Sequence, residues 1–209
     1  MVLVNKLEPN LFVRQDETPD ENFYRQPRFV THIDDGAIAA VTELYREFLP
    51  PDGAILDLMS SWVSHLPPEV SYSKVVGLGL NEQELAANPR FESYMVHNLN
   101  TAPVLPFENE TFNGATIAVS IDYLTRPVEV LRDLGRVLTE EAPVVITFSN
   151  RCFPSKAVAV WHRLSDQGRL ELVAAYLEAA GNWHDVLGHD RSPRGWGQDP
   201  LYAVTAKRS

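Results

Sequence analysis

The feature that most constrains the fold of this chain is a series of short, almost entirely apolar runs separated by helical segments. Four of these runs lie at residues 54–58, 74–80, 114–121 and 142–148, and residues 91–97 form a weaker fifth run. Strands with one solvated face alternate apolar and polar residues, whereas these runs have the pattern of strands buried on both faces. Strands that alternate with helices predict a parallel α/β sheet with right-handed crossovers.

The segments between and after these runs have helix signals at their ends. Asp34 or Asp35 caps a predicted helix over about 36–48, and Asn81 with Glu84 three places on opens a short second helix. The remaining predicted elements are helices over 128–138, 156–165 (capped by Ser155) and 169–180 (ended by Gly181), and a last strand over 200–206. All of them follow from capping residues and apolar periodicity.

Residues 1–32 differ in composition from the rest of the chain. They combine three prolines and an acidic stretch with the aromatic residues Phe12, Phe23, Tyr24 and Phe29, which a disordered tail would lack. We therefore predict an N-terminal arm that packs on the body and acts as a lid. No linker divides the remaining chain, so residues 1–209 are predicted to be a single domain with an α/β core over 33–209.

Charge and cysteine content exclude several classes of protein. The chain has 18 Lys and Arg against 28 Asp and Glu, a net charge of −10, which disfavours nucleic acid as a partner. Cys152 is the single cysteine, so a disulfide framework and a multi-cysteine zinc site are excluded, and we expect no metal. No apolar run approaches the roughly 20 residues of a membrane helix. The start MVLVNKLEPN lacks a signal-peptide pattern, so we expect a cytoplasmic protein with no membrane association.

Polar segments follow the predicted strands, at the sheet edge where open parallel sheets bind ligands. These segments are residues 57–65, 79–84, 97–101, 120–125 and 149–154. Helix caps and turns use the same residue types, which is the alternative explanation for any single segment. A phosphate loop is absent, and Gly77-Leu78-Gly79 continues to Glu82 instead of a third glycine, which disfavours a dinucleotide oxidoreductase.

The order of these segments resembles the class I S-adenosylmethionine-dependent methyltransferases, in particular the small type 11-like members. The resemblance rests on residues 55–58, 76–81, the run LPFENETFN at 105–113, and the helix at 128–138. It implies a Rossmann-like three-layer sandwich with a mostly parallel seven-stranded sheet whose last strand, here 201–206, is antiparallel. It also implies S-adenosylmethionine as cofactor, bound across the carboxyl ends of the first three strands.

The resemblance assigns cofactor contacts by position. Asp57, Met59, Ser60 and Ser61 would lie beside the methionine part, Leu80 and Asn81 near the ribose, Asn98 and Leu99 by the adenine, and Ser120 near the sulfonium. Three features depart from the family. Its glycine-rich first loop carries Met59, Ser61 and Val63 here, so this loop either binds the cofactor along a different backbone path or does not bind it. The acids expected after the second and third strands are Gly79 and Asn98, and Asn81 offers hydrogen bonds to the ribose or serves only as a helix cap.

Methyl transfer needs positioning, desolvation and removal of a proton, so no covalent nucleophile is expected. The candidate proton acceptors are His32, His65, Asp122 and Tyr123. The candidate substrate contacts are Tyr24, Arg28, Asn150 and Arg151, where Arg28 pairs either with a ligand carboxylate or with a surface acid. Cys152 is interpreted as a plain buried thiol, and residues 184–190 as a solvated loop rather than a metal site.

Two hypotheses follow. The first is a methyltransferase that acts on an unidentified small molecule, with the arm as lid. The second is a methyltransferase-like fold without turnover that binds a ligand or a protein. The substituted glycines favour the second hypothesis, whereas Asp57 and the polar strand ends favour the first. The sequence leaves a monomer or a homodimer open.

Overall fold

The computed structural model describes residues 8–209, so residues 1–7 of the predicted arm lie outside the described residues. The strands are β1 (Ala54–Leu58), β2 (Lys74–Gly79), β3 (Ser93–Val96), β4 (Gly114–Ala118), β5 (Pro143–Phe148), β6 (Trp183–Asp190) and β7 (Tyr202–Arg208). The helices are α1 (Asp20–Phe23), α2 (Asp35–Phe48), α3 (Glu82–Ala87), α4 (Pro127–Val137), α5 (Ala159–Arg163) and α6 (Asp166–Ala180). Within residues 8–209, no helix has the length and apolar character to cross a membrane.

The strands form one sheet in the order β3-β2-β1-β4-β5-β7-β6. Strands β1 to β5 pair in parallel, and Leu56 of β1 stands between Val76 of β2 and Ala115 of β4. Strand β7 is antiparallel to both of its neighbours, β5 and β6. The prediction of a mostly parallel, seven-stranded, Rossmann-like sheet with an antiparallel last strand is confirmed.

Apolar side chains cover both faces of the sheet and make three layers. Because successive strand residues point to opposite faces, Leu56 and Leu58 join one buried cluster while Ile55 joins the other. The first cluster includes Leu134 of α4, and α2 closes the second with Leu44. Burying each such leucine contributes about 1.5–3 kcal/mol, so these two clusters supply much of the stability of the sheet.

Side-chain caps determine where three helices begin. Asp34 accepts a hydrogen bond from the Ala37 backbone N–H at the start of α2, and Asn81 accepts one from the Glu84 N–H at the start of α3. Both caps agree with the sequence prediction. The helix predicted over 169–180 begins earlier, at Asp166, because Ser165 provides its cap, and it ends at Gly181 as expected.

The helix predicted over 156–165 is shorter, and Ser155 does not cap it. Helix α5 covers only Ala159–Arg163. Residues 154–157 form a turn and a bend, and Val158 forms a bridge to Arg14 of the arm. The Asp16 N–H donates to the Ser155 carbonyl oxygen at 2.8 Å, and the Ala159 N–H donates to the Val13 carbonyl oxygen at 2.8 Å. Pairing with the distant arm therefore prevails over the local helix signal at Ser155.

The solvated loop predicted over 184–190 is wrong, since these residues belong to strand β6. The strand has an irregular register against β7 between His184 and Leu187, and Asp185 has a φ of 50°. This irregularity breaks the two-residue alternation that would have revealed the strand. Within residues 8–209, three or more His, Cys, Asp or Glu side chains do not gather anywhere to hold a metal ion.

Candidate functional site

A cavity of about 310 Å³ opens at the carboxyl ends of β1, β2 and β4. The chain runs from β1 outward to β3 and then returns to place β4 on the other side of β1. The cavity therefore lies where the strand order reverses, which is where open α/β sheets bind ligands. Besides residues of the arm, its lining comes from residues 59–63, 65, 78–81, 84, 97–100, 118–120, 123–124 and 151–153.

The loop after β1 turns sharply at the position where the resemblance expects the first glycine. Met59, at the first glycine position, has a φ of 54°, a left-handed conformation that favours glycine. The Ser60 N–H donates to the Leu78 carbonyl oxygen at 2.8 Å, and the Ser60 carbonyl oxygen occupies the space that a Cβ on Gly79 would need. The loop thus closes over the end of β2, at the position where the family carries an acid.

Asp57 supports this loop from below. It is almost fully buried, and its carboxylate accepts hydrogen bonds from Ser60 Oγ at 2.7 Å and from Thr116 Oγ1 at 2.9 Å. Burial raises the pKa of Asp57 to about 6, although hydrogen bonds from Ser64, Ser60 and Thr116 oppose that rise. Asp57 does not line the cavity, so its contact with any ligand would pass through the loop.

Asn81 serves as a helix cap and also binds the arm. Its Oδ1 accepts the Glu84 N–H, and its Nδ2 donates to the carbonyl oxygens of Tyr24 at 2.8 Å and Arg25 at 3.2 Å. The sequence left two roles for Asn81, a ribose contact or a helix cap. In the structure Asn81 caps α3 and also hydrogen-bonds the arm. The arm uses the amide group that the resemblance assigns to the cofactor.

Glu84 joins the arm to the loop after β1. Its Oε1 accepts the Arg28 backbone N–H at 2.7 Å, and its Oε2 accepts the Ser61 hydroxyl at 2.5 Å. Glu84 is buried and lines the cavity. Sequence reasoning identified Glu84 only as part of a helix start, because nothing local indicated a partner 56 residues away.

Two asparagines after β3 bind the acidic residues of α1. Asn98 Nδ2 donates to Glu21 Oε1 at 2.6 Å, and Asn100 Nδ2 donates to Asp20 Oδ2 at 2.9 Å. Asn100 Oδ1 also accepts the Thr125 N–H at 2.8 Å. Sequence reasoning selected the polar segment but not Asn100, which links the arm to the end of the turn after β4.

A buried lysine anchors the arm from the other side. Lys156 has no exposed surface, its Nζ lies 3.3 Å from carboxylate oxygens of both Asp16 and Asp20, and it donates to the Thr18 carbonyl oxygen at 2.7 Å. Arg14 Nη1 also pairs with Asp20 at 2.7 Å. A lone lysine in a polar segment carries no sequence signal of this role.

Aromatic rings close the cavity on the arm side. The Phe153 ring lies 5.2 Å from that of Phe23, 5.3 Å from that of His32 and 5.9 Å from that of Tyr123. The Arg28 guanidinium carbon stands 4.7 Å from the centre of the Phe23 ring and 5.3 Å from that of Phe153, and Arg28 Nη2 donates to the Phe23 carbonyl oxygen. Arg28 thereby stacks on the rings while it lines the cavity.

The candidate proton acceptors separate into two groups. His32, His65 and Tyr123 line the cavity, whereas Asp122 does not. The Tyr123 hydroxyl accepts the Phe153 N–H at 2.8 Å, and burial raises the pKa of Tyr123. Burial likewise raises the pKa of Asp122 to about 8, and its Oδ2 has no hydrogen-bond partner among residues 8–209.

Of the other predicted site residues, some line the cavity and one does not. Tyr24 and Arg151 line the cavity, whereas Asn150 does not. Arg151 donates through Nε to Asp199 at 2.8 Å and is largely exposed. Ser120 is buried in the cavity wall, and its hydroxyl has no partner within the described chain. The remaining predicted cofactor residues, Leu80 and Leu99, also line the cavity.

Solved structures with this architecture include S-adenosylmethionine-dependent methyltransferases and a [4+2]-cyclase. The cyclase SpnF superposes with a TM-score of 0.63 at 15% identity, covering 90% of this chain and 91% of that chain. A methyltransferase from Aquifex aeolicus has a TM-score of 0.57 at 15% identity (98% and 100% covered), and one from Mesorhizobium loti has 0.57 at 16% (81% and 98%). No protein-family model and no curated protein matches the chain. At these identities the likeness establishes the fold, which is that of the class I methyltransferases.

Proposed function

We propose that this protein is an S-adenosylmethionine-dependent methyltransferase that acts on a small molecule. One observation carries the proposal: the residues assigned to the cofactor by position, Asp57 excepted, line a single cavity where the strand order reverses. The cofactor, when bound, supplies an electrophilic methyl group on sulfur. The chain contributes positioning, exclusion of water and uptake of a proton.

The lining of the cavity suits such a cofactor. A volume of about 310 Å³ lies within the range of about 300–1,000 Å³ that is usual for small-molecule sites. Leu80 and Leu99 offer apolar contacts, Asn98 offers an amide, and the Ser120 hydroxyl is free of protein partners within residues 8–209. These groups would hold the cofactor by apolar contact and neutral hydrogen bonds.

The arm then acts as the lid. Asn81 and Asn98 hydrogen-bond the arm through the same amide groups that the cofactor would use. Entry of the cofactor therefore requires the arm to release these amides, and the aromatic residues of the arm exclude water once it closes again. Tyr24, Arg28 and Arg151 line the cavity and, with Asn150 next to Arg151 in sequence, form the proposed substrate contacts.

A binding protein without methyl transfer is the second candidate, and Gly79 favours it. Family members bind the ribose with an acid at this position, whereas here the Ser60 carbonyl oxygen occupies the corresponding space. A cofactor bound here would lack that carboxylate contact. The fold and the cavity serve equally well for a ligand that is held but not methylated.

Calorimetric titration and thermal unfolding with S-adenosylmethionine and S-adenosylhomocysteine test the proposal. At ligand concentrations near 100-fold above the dissociation constant, a specific ligand stabilises the fold by about 2.7 kcal/mol. Ala118→Leu would extend a side chain into the cavity and abolish binding, whereas Ala39→Leu on the exposed side of α2 is the matched control. Binding with release of S-adenosylhomocysteine on addition of an acceptor supports the enzyme. Binding without release over a broad set of small acceptors supports the second candidate, and no binding at millimolar ligand contradicts the proposal.

A further inference from the structure

Two carboxylates of the described chain line the cavity, and only one of them forms ion pairs. Asp20 pairs with Arg14 Nη1 at 2.7 Å and lies 3.3 Å from Lys156 Nζ. Glu84 is also buried, but none of the ion pairs within the described chain includes it. Burying a carboxylate is costly unless cations or hydrogen-bond donors satisfy it. Glu84 is therefore the lining carboxylate that remains for a ligand.

The hydrogen bonds of Glu84 leave room for two more donors. Each carboxylate oxygen can accept two hydrogen bonds. Oε1 accepts the Arg28 backbone N–H at 2.7 Å, and Oε2 accepts the Ser61 hydroxyl at 2.5 Å. In a capping box, a Glu at this third helical position turns back to the N–H of the cap, which here is Asn81. Glu84 instead bonds the arm and the loop after β1, and one acceptor position on each oxygen is unused by the described chain.

Helix α3 brings this carboxylate to the end of β2. Leu85 packs against Gly79 so closely that a Cβ on Gly79 would lie 3.1 Å from Leu85 Cδ2, and the Ser60 carbonyl oxygen fills the space on the other side. A carboxylate at residue 79 is excluded by this packing. Glu84, next to Leu85 in the first turn of α3, lines the cavity together with Gly79.

Arg28 already supplies positive charge in this part of the cavity. Arg28 and Glu84 both line it and both act on His32: burial lowers the pKa of His32, Glu84 raises it, and Arg28 lowers it. The two opposite charges are thus within electrostatic range of one imidazole, so a ligand that binds Glu84 need not bring a cation. Neutral donors such as hydroxyl groups suit the unused acceptor positions.

Two hydroxyl groups on adjacent carbons match these positions. They present two O–H donors side by side, just as the two oxygens of one carboxylate present two acceptors. A ribose carries such a pair, and acidic side chains in nucleotide-binding α/β folds accept ribose hydroxyls.

We infer that Glu84 of α3 accepts hydrogen bonds from the ribose hydroxyl pair of the cofactor. The inference rests on the proposed function, and it supplies from α3 the carboxylate that Gly79 cannot carry. The Ser61 hydroxyl and the Arg28 N–H each orient one oxygen of the carboxylate. Because Arg28 belongs to the arm, closure of the arm fixes the group that holds the ribose.

Calorimetric titration of the full wild-type chain compares S-adenosylhomocysteine with its 2′-deoxy and 3′-deoxy analogues. Each missing hydroxyl should weaken binding about 10-fold or more, because it removes a hydrogen bond to a charged group. The analogue without the amino group is the third probe, since an ammonium is the other donor that a carboxylate binds. Equal affinity for S-adenosylhomocysteine and both deoxy analogues would overturn the inference without any variant.

Glu84→Gln then shows whether this carboxylate causes the discrimination. The variant should lower the discrimination between S-adenosylhomocysteine and each deoxy analogue about threefold or more, because hydrogen bonds to a charged acceptor are roughly twice as strong as those to a neutral one. Glu82→Gln, exposed on the same helix, is the matched control. Trp62→Phe removes the indole bond to the Val30 carbonyl oxygen, so it loosens the arm without touching Glu84 and should keep the discrimination.

The outcomes separate this inference from the proposed function. Wild-type protein that does not bind S-adenosylhomocysteine contradicts the proposed function and, with it, the inference. Protein that binds it, with the same discrimination in Glu84→Gln as in the wild type, contradicts only the role of Glu84 in holding the ribose. A Glu84→Gln variant that loses discrimination against the analogue without the amino group, and keeps it against both deoxy analogues, would assign Glu84 to the ammonium and also overturn the inference.

Discussion

The carbonyl oxygen of Ser60 fills the space above Gly79 that a side chain would need. Two departures from the methyltransferase pattern, the substituted first loop and the missing acid after the second strand, are therefore one structural feature. The loop closes onto the end of β2, where its Ser60 N–H bonds the Leu78 carbonyl oxygen. A carboxylate at residue 79 would force this loop away from the sheet.

Gly79→Ala should lower the free energy of unfolding by about 1–3 kcal/mol, because the new methyl group collides with backbone that cannot move without breaking the Ser60 hydrogen bond. Urea denaturation measures this loss. Gly188→Ala in β6 is the matched control, since its Cβ would meet only Leu170 at an ordinary 3.5 Å. Equal stability of the two variants would show that the loop does not press on Gly79.

The central strands β1, β2, β4 and β5 were predictable because they are buried on both faces, and burial of that kind leaves a continuous apolar run. The elements that escaped prediction depend on distant partners. Residues 154–158 form a turn and a bridge to the arm instead of a helix, and Asp16 and Val13 of the arm hydrogen-bond Ser155 and Ala159 there. Strand β6 carries His184 and Asp185 at an irregularity, so its polar residues and broken alternation resemble a loop.

Glu84→Gln should loosen the arm without unfolding the core. The Arg28 N–H donates to the Glu84 carboxylate, and a hydrogen bond to a charged group contributes about 1.5–3 kcal/mol. Hydrogen exchange of the Arg28 amide should therefore quicken roughly 10-fold or more. Glu82→Gln, exposed on the same helix, is the control and should leave that rate unchanged. An unchanged rate in Glu84→Gln would mean that other contacts hold this part of the arm.

Lys156→Met should destabilise the protein by about 3–5 kcal/mol, since removing one partner of a buried ion pair leaves a charge without compensation. Lys156 is fully buried between Asp16 and Asp20, so water cannot replace it without opening the arm. Lys207→Met is the control, because Lys207 is half exposed and its pair with Glu141 should contribute at most about 1 kcal/mol. Similar small losses in both variants would contradict the anchoring role.

The location of the site was predictable from the sequence, but most of the partners of its residues were not. Polar residues that follow parallel strands converge at one edge, so Ser61, Asn81 and Asn98 could be grouped from the order of the strands alone. Asn81 and Asn98 hydrogen-bond the arm, which is far away in sequence and has almost no regular structure, and Ser61 hydrogen-bonds Glu84, which also binds the arm. Asn100 and Lys156 were missed for this reason, since their roles exist only once Asp20 is in place.

Asp122→Asn should make stability less dependent on pH. Burial raises the pKa of Asp122 to about 8 from an unfolded value near 3.8, so between these values the native state holds more protons than the unfolded state. Stability from this group therefore falls as pH rises from about 4 to 8, and the variant lacks that fall. The variant should gain at least about 1.4 kcal/mol relative to wild type between pH 5 and pH 8, the equivalent of one pKa unit.

Urea denaturation of Asp122→Asn and wild type between pH 5 and pH 8 measures the difference between their free energies of unfolding. Other titrating groups contribute equally to both proteins and cancel. Any cost of burying the amide that Asp122→Asn introduces is independent of pH and does not alter the slope. Asp52→Asn, at an exposed turn, is the control and should follow the wild type at every pH. Parallel curves for Asp122→Asn and wild type would show that the Asp122 carboxyl is ionised in the folded protein throughout, with a partner or water at its free Oδ2.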